Sequence, residues 1–134
     1  MRVQSHKAVT VVVSDFLTAD GGGALPSATR TMFRQVNRKH DVVAVQITDR
    51  YELELPALGR LILEDAETGE VVELNTAKTG GRSAFALRQQ KQIGELAKQF
   101  RSSGIDSIQL RTDQPYGAAL GRFFETREKR RLRG

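Results

Sequence analysis

The residues best suited to chemistry in this sequence are three hydroxyl–carboxylate pairs, Ser14-Asp15, Thr48-Asp49 and Thr112-Asp113, each closing a short apolar run. Side-chain oxygens of this kind, brought together, could hold a hard cation such as Mg²⁺. Parallel strands would bring them together, because their C-terminal ends share one edge, where α/β sheets usually bind ligands. A Mg²⁺-dependent phosphohydrolase on Asp15, Asp49 and Asp113 is one reading, although no nucleophile or general base stands out to complete it. The plainer reading is turn formation and helix capping after a strand. It suits Asp49 and Asp113, the latter standing ahead of Pro115 as the cap of a last helix. Asp15 remains the strongest functional candidate.

Other catalytic signatures fail on inspection. Lys78-Thr79 resembles the end of a phosphate-binding loop, but Ala77 and Val72 stand where glycines are required. His6 and His40 have neither a Gly-x-Ser-x-Gly elbow nor a His-x-x-x-His spacing to work with, and read as surface residues. Asp65, Glu67 and Gly69 suggest a calcium loop, yet Glu70 occupies the position that needs glycine. The absence of cysteine removes disulfides, thiolate nucleophiles and most structural zinc sites.

The elements that must position these residues follow from the apolar pattern. Ala8 to Ser14 is a β-branched run without polar alternation, which suits a strand covered on both faces. A helix begins near Pro26 and Ser27, with Ala28, Met32 and Val36 at i, i+4 spacing and Phe33 alongside, and ends near Lys39 and His40. Val42 to Thr48 is a second strand, so strand, helix and strand make a βαβ unit. Arg60 to Glu64 and Glu70 to Leu74 flank an acidic connection and read as an inserted hairpin, with Gly69 supplying positive φ. From Ser83 to Ser103, Leu87, Ile93, Leu96, Ala97 and Phe100 form one helical face, and Gly104 ends it. Ser107 to Arg111 is a third strand. Pro115 opens a final helix with Tyr116, Leu120, Phe123 and Phe124 inward.

At 134 residues the chain fits a single domain, 1–134. The net charge of +5 is concentrated at the end. Arg122, Arg127, Lys129, Arg130, Arg131 and Arg133 face only Glu125 and Glu128, so the body is nearly neutral, and residues 126–134 read as a basic tail. Nucleic-acid binding through that tail is an alternative function, with affinity falling steeply with salt. The body lacks the spread of Lys/Arg and aromatic readers such a role requires, and no nucleic acid is expected. No apolar run reaches the ~18 residues of a membrane span, so the chain is expected to be cytoplasmic and free of membrane segments.

Four blocks in order carry a family resemblance: Val11-Val12-Val13-Ser14-Asp15-Phe16; Lys39-His40-Asp41-Val42-Val43-Ala44-Val45; Asp49-Arg50-Tyr51-Glu52-Leu53-Glu54-Leu55-Pro56-Ala57-Leu58-Gly59; and Leu63-Glu64-Asp65-Ala66-Glu67-Thr68-Gly69-Glu70. Over about residues 8–125 the chain resembles the C-terminal half of the domain of unknown function 58 family, which is similar to von Willebrand factor A domains. The resemblance implies a three-layer, Rossmann-like α/β half-domain with a parallel sheet and an inserted β-hairpin. It also implies a non-catalytic partner or adaptor of a MoxR-type AAA ATPase, since family members are commonly encoded beside such ATPases. The metal-ion-dependent adhesion site of these domains begins with Asp-x-Ser-x-Ser and ends with an Asp after the fourth strand. Only Ser14-Asp15 answers to that last position, and no Asp-x-Ser-x-Ser occurs. The expectation is an incomplete site with no cofactor in this chain, Mg²⁺ belonging to a longer parent protein that is membrane-anchored or free.

The function expected is therefore protein recognition from the C-terminal edge of the sheet by Asp15, Phe16, Asp49, Glu52 and Asp113, without catalytic residues. If the preceding half of the sheet is absent, the strand from Ala8 to Ser14 becomes an unprotected edge. It is then expected to pair antiparallel with the same strand of a second copy.

Overall fold

The computed structural model describes residues 6–17, 24–50, 60–64, 67–75 and 79–134. Five strands and three helices follow in the order β1 (Val9–Ser14), α1 (Ser27–Lys39), β2 (Asp41–Thr48), β3 (Arg60–Glu64), β4 (Val71–Asn75), α2 (Thr79–Ser102), β5 (Asp106–Arg111) and α3 (Gly117–Arg133). β1, β2 and β5 form a parallel sheet in the order β1-β2-β5. β3 and β4 pair antiparallel as a separate hairpin with Leu61 opposite Leu74. Its connection carries Gly69 at φ 72°, the positive φ expected of it.

β2 is central because its sequence allows burial on both faces. Val42 and Ala44 point to one side and Val43 and Val45 to the other, all buried. On the first side Val42 and Ala44 pack with Leu25, Phe33 of α1, Leu96 and Phe100 of α2, and Ile105. Phe100 is the hub: Phe16 and Phe33 meet its ring edge-on at 5.1 and 5.8 Å between centroids. On the other side Val43, Val45 and Leu110 pack with Ile108 and with Ala119, Leu120 and Phe123 of α3.

Side-chain hydrogen bonds tie the junctions. Asn37 accepts from Val42 N–H at 3.0 Å and donates to the Gly104 carbonyl at 3.1 Å, joining the end of α1 to β2 and to the α2–β5 turn. Gly104, at φ 72°, donates to the Arg101 carbonyl while Ile105 N–H reaches the Phe100 carbonyl at 2.9 Å. This pair of bonds satisfies the last carbonyls of α2 and sends the chain into β5. Gln99 Oε1 accepts from Leu25 N–H at 2.8 Å, which seats Leu25 in the core.

Several inward assignments are corrected. Met32 of α1 and Leu87 of α2 are exposed, and the buried stripes run through Phe33 and through Leu96 and Phe100. Ala28 is exposed as well. Tyr116, just ahead of α3, and Phe124 within it are also exposed, leaving Leu120 and Phe123 to face the sheet. β1 is covered on one face only: Val12 packs on the core, whereas Val9, Val11 and Val13 are 59%, 46% and 61% exposed. Its β-branched run fits the interior of a larger sheet, but α3 reaches across β2 and β5 and stops short of it.

Candidate functional site

The three hydroxyl–Asp pairs do lie at one edge, because β1, β2 and β5 are parallel and in register, with Ser14 beside Gln46 and Thr48 beside Arg111. Local chemistry occupies each pair differently. Ser14 Oγ accepts from Phe16 N–H at 3.0 Å and Asp15 Oδ1 from Leu17 N–H at 3.1 Å, two consecutive side-chain turns that end β1. Asp49 Oδ2 accepts from the Thr112 hydroxyl at 3.0 Å, linking the ends of β2 and β5. Asp113 does not cap α3, whose N-cap is Tyr116. Its carboxylate is held by both Nε and Nη2 of Arg111 at 3.0 and 2.9 Å, and that pairing holds it below the usual carboxylate range despite partial desolvation. Glu52 lies outside the described residues.

The described carboxylates of this edge do not converge on one point. Among the described residues no group of three or more His, Asp or Glu side chains converges closely enough to hold a metal ion. The Asp113 carboxylate is neutralised by its own neighbour Arg111.

What the edge does present is a shaped turn. Phe16 sits at φ 54°, the left-handed region that residues with a β-carbon rarely enter. Its ring is anchored against Phe100, so the core enforces the backbone conformation. Asp15 and Leu17 on either side are both exposed. Phe16 is thus a positioning residue, and Leu17 is a surface residue that sequence reasoning passed over. Nothing in the local sequence signals the sign of φ, which goes with a ring contact to the distant Phe100.

A second feature was also missed. An apolar groove of about 520 Å³ runs between the uncovered face of β1 and α3, floored by Val11, Val13, Val45 and Ile47 and walled by Tyr116, Leu120 and Phe124. The wall residues lie at i, i+4 and i+8, one face of a helix.

At the opposite edge the basic tail turns out to be partly engaged. Arg127 bridges Asp41 at 2.7 Å and Asp106 at 2.8 Å, and Arg130 also pairs with Asp106. Burial alone would raise Asp106, but the hydrogen bonds and charges of Arg127 and Arg130 outweigh it and hold its carboxyl below the usual range. Burial likewise opposes the charge on Arg127, and the two carboxylates overcome it and push its pKa up. His40 is half-buried rather than a free surface residue, its Nδ1 accepting from Ala8 N–H at 3.2 Å.

The profile of the family described as protein of unknown function DUF58 matches residues 1–95. The chain belongs to this family. An uncharacterized protein of Mycobacterium avium is 30% identical over 133 residues, covering 99% of this chain and 74% of its own length. Uncharacterized proteins of Mycobacterium bovis and Mycobacterium tuberculosis are 29% identical over 99% of this chain, which spans only 39% of their length. No solved structure matches the chain. Among the described residues no helix is long and apolar enough to cross a membrane.

Proposed function

We propose that this DUF58 domain is a non-catalytic protein-recognition module, von Willebrand factor A-like in its half-sheet, that engages its partner at the C-terminal edge. The observation that carries the reading is the Ser14–Leu17 turn: a non-glycine residue at φ 54°, fixed by its ring in the core, displaying an acid and a leucine. Strained backbone persists only where the surroundings over-determine it, and such positions cluster at binding and switch sites. The partner is a MoxR-type AAA ATPase, the assignment that the family resemblance supports. A basic and apolar patch on the ATPase would complement Asp15 and Leu17, and the apposed ends of β2 and β5 at Asp49 and Thr112 extend the same surface. Arg127 and Arg130 are paired with carboxylates, which favours this reading over phosphate binding by the tail.

Titration calorimetry between the chain and a MoxR-type AAA ATPase tests the proposal. Wild type should bind, and Asp15→Lys combined with Leu17→Asp should weaken binding at least tenfold while the melting temperature holds. No binding by the wild type overturns the partner. Binding unaffected by the double variant overturns the site.

A further inference from the structure

Two buried polar atoms on facing elements, Nε of Arg30 in α1 and Oε1 of Gln46 in β2, have no hydrogen-bond partner among the described residues. Gln46 as a whole is only 6% exposed. Orphaned buried donors and acceptors are uncommon, because each loses its hydration without replacement. The fold sets this pair at one height. Asn37 accepts from Val42 N–H at 3.0 Å, which fixes the level of α1 against β2. Arg30 precedes Asn37 by about two helical turns, on the stripe that also holds buried Phe33, and so stands about 10 Å further up α1. Gln46 shares the face of Val42 and Ala44, which α1 covers through Phe33, and stands about 13 Å up β2 from Val42.

Both residues meet the start of α1. This helix joins parallel β1 and β2 and must run back between them, so its first turn lies at their C-terminal edge. No side chain caps that turn and no acid stands in it: Pro26 is the N-cap, and Ser27, Ala28 and Thr29 follow. Their N–H groups sit at the positive end of the helix dipole. Arg30 adds a guanidinium that pairs with no acid among the described residues.

We infer that the first turn of α1, Arg30 and Gln46 form a binding site for a phosphate group. Its oxygens accept from the first-turn amides, as anions do at helix N-termini, and from the guanidinium. Arg30 is only partly buried, so a small turn of its side chain presents Nε–H to the arriving group. Gln46 closes the inner end. Its Oε1 accepts from a protonated phosphate oxygen, and the amide turned over donates through Nε2 to an unprotonated one. A metal cation would meet the guanidinium and the helix dipole with like charge, and an apolar occupant would leave every one of these groups unsatisfied. Free phosphate, a phosphorylated side chain and a nucleotide share the chemistry required. The site lies between α1 and β2 and makes no use of the outer side of β1.

Titration of the ¹⁵N-labelled chain with sodium phosphate at constant ionic strength, followed by backbone amide and arginine Nε–H resonances, tests the inference. Ala28, Thr29 and Arg30 Nε–H should shift together, with a dissociation constant on the order of 1–10 mM. Arg30→Met keeps the aliphatic stem and should weaken binding about tenfold, and Gln46→Met should weaken it about threefold. Arg34→Met removes an exposed charge one turn further along α1 and should change it less than about twofold. Parallel titrations with O-phosphoserine and adenosine monophosphate separate the sources: tighter binding of either names the carrier, and equal affinity in all three leaves free phosphate as the ligand. No shift up to about 50 mM phosphate overturns the inference and leaves water as the bridge between Arg30 and Gln46. Equal loss in Arg34→Met and Arg30→Met also overturns it, as does a shift spread over surface arginines instead of the first turn of α1. That last readout comes from the wild type, so the test survives a variant that does not fold. It needs no ATPase, so it succeeds or fails apart from the partner proposed above.

Discussion

A phenylalanine held at φ 54° combines two opposing effects, backbone strain of about 1–2 kcal/mol and the attraction of its ring for Phe100. Phe16→Ala keeps the strain and loses the ring, and should cost about 2–3 kcal/mol in urea unfolding. Phe16→Gly loses the ring but relieves the backbone, and should be about 1 kcal/mol more stable than the alanine variant, the reverse of the usual order of these two residues. Arg127 makes a different argument, through linkage. Asp106 titrates lower in the folded than in the unfolded chain, so its stabilising effect is present above the ordinary carboxylate pKa and lost as pH falls through the lowered native value. Arg127→Met should cost about 1–2 kcal/mol near pH 7, less than a fully buried pair because both acids are partly solvated. It should also flatten the acid loss of stability below about pH 4, as followed by chemical denaturation at stepped pH. At this scale Ser14, Asp15 and the shared edge were legible because hydroxyl–Asp after a strand has local chemical meaning. The pairing of Arg127 with Asp41 and Asp106 was not, since it joins residues far apart in sequence and a basic run looks the same whether solvated or docked.

Among the elements, the positions of α1, β2, α2 and β5 could be read from apolar period and turn residues to within a few residues. The faces they bury could not be read as well. Met32, Leu87, Tyr116 and Phe124 extend apolar stripes but are exposed, because a stripe specifies a direction and the neighbour decides how much of it is covered. α3 shows this most clearly, holding β2 and β5 through Leu120 and Phe123 with its basic end fastened by Arg127. Removing Lys129 to Gly134 should therefore cost no more than about 1 kcal/mol, because it deletes Arg130 but spares Arg127 and the apolar face. A thermal melt of the truncated chain checks this. Gly104→Ala should cost about 1 kcal/mol or more, since the α2–β5 turn needs φ 72°, whatever room the side chain finds beside Asn37. Buried Gln46 presents another case: its Oε1 has no hydrogen-bond partner among the described residues. Gln46→Met, of similar volume, should leave stability unchanged or raise it by up to about 1 kcal/mol.

Across the whole molecule the burden of the fold rests on β2. Val45→Ala should cost about 2–3 kcal/mol, while Val11→Ala on the uncovered face of β1 should cost less than about 0.5 kcal/mol. The same arrangement bears on the order in which a ribosome delivers the chain. β1, α1 and β2 emerge as one unit, and the first core layer closes only when α2 arrives with Leu96 and Phe100. The other face of β2 waits longest, because Leu110 and the covering helix belong to the final stretch. Until α3 has left the ribosome, Val43 and Val45 lack their cover, and the nascent chain should expose an apolar surface of the kind chaperones bind. Chains stalled before Pro115 should therefore crosslink to ribosome-associated chaperones, and chains extended far enough for α3 to emerge should not.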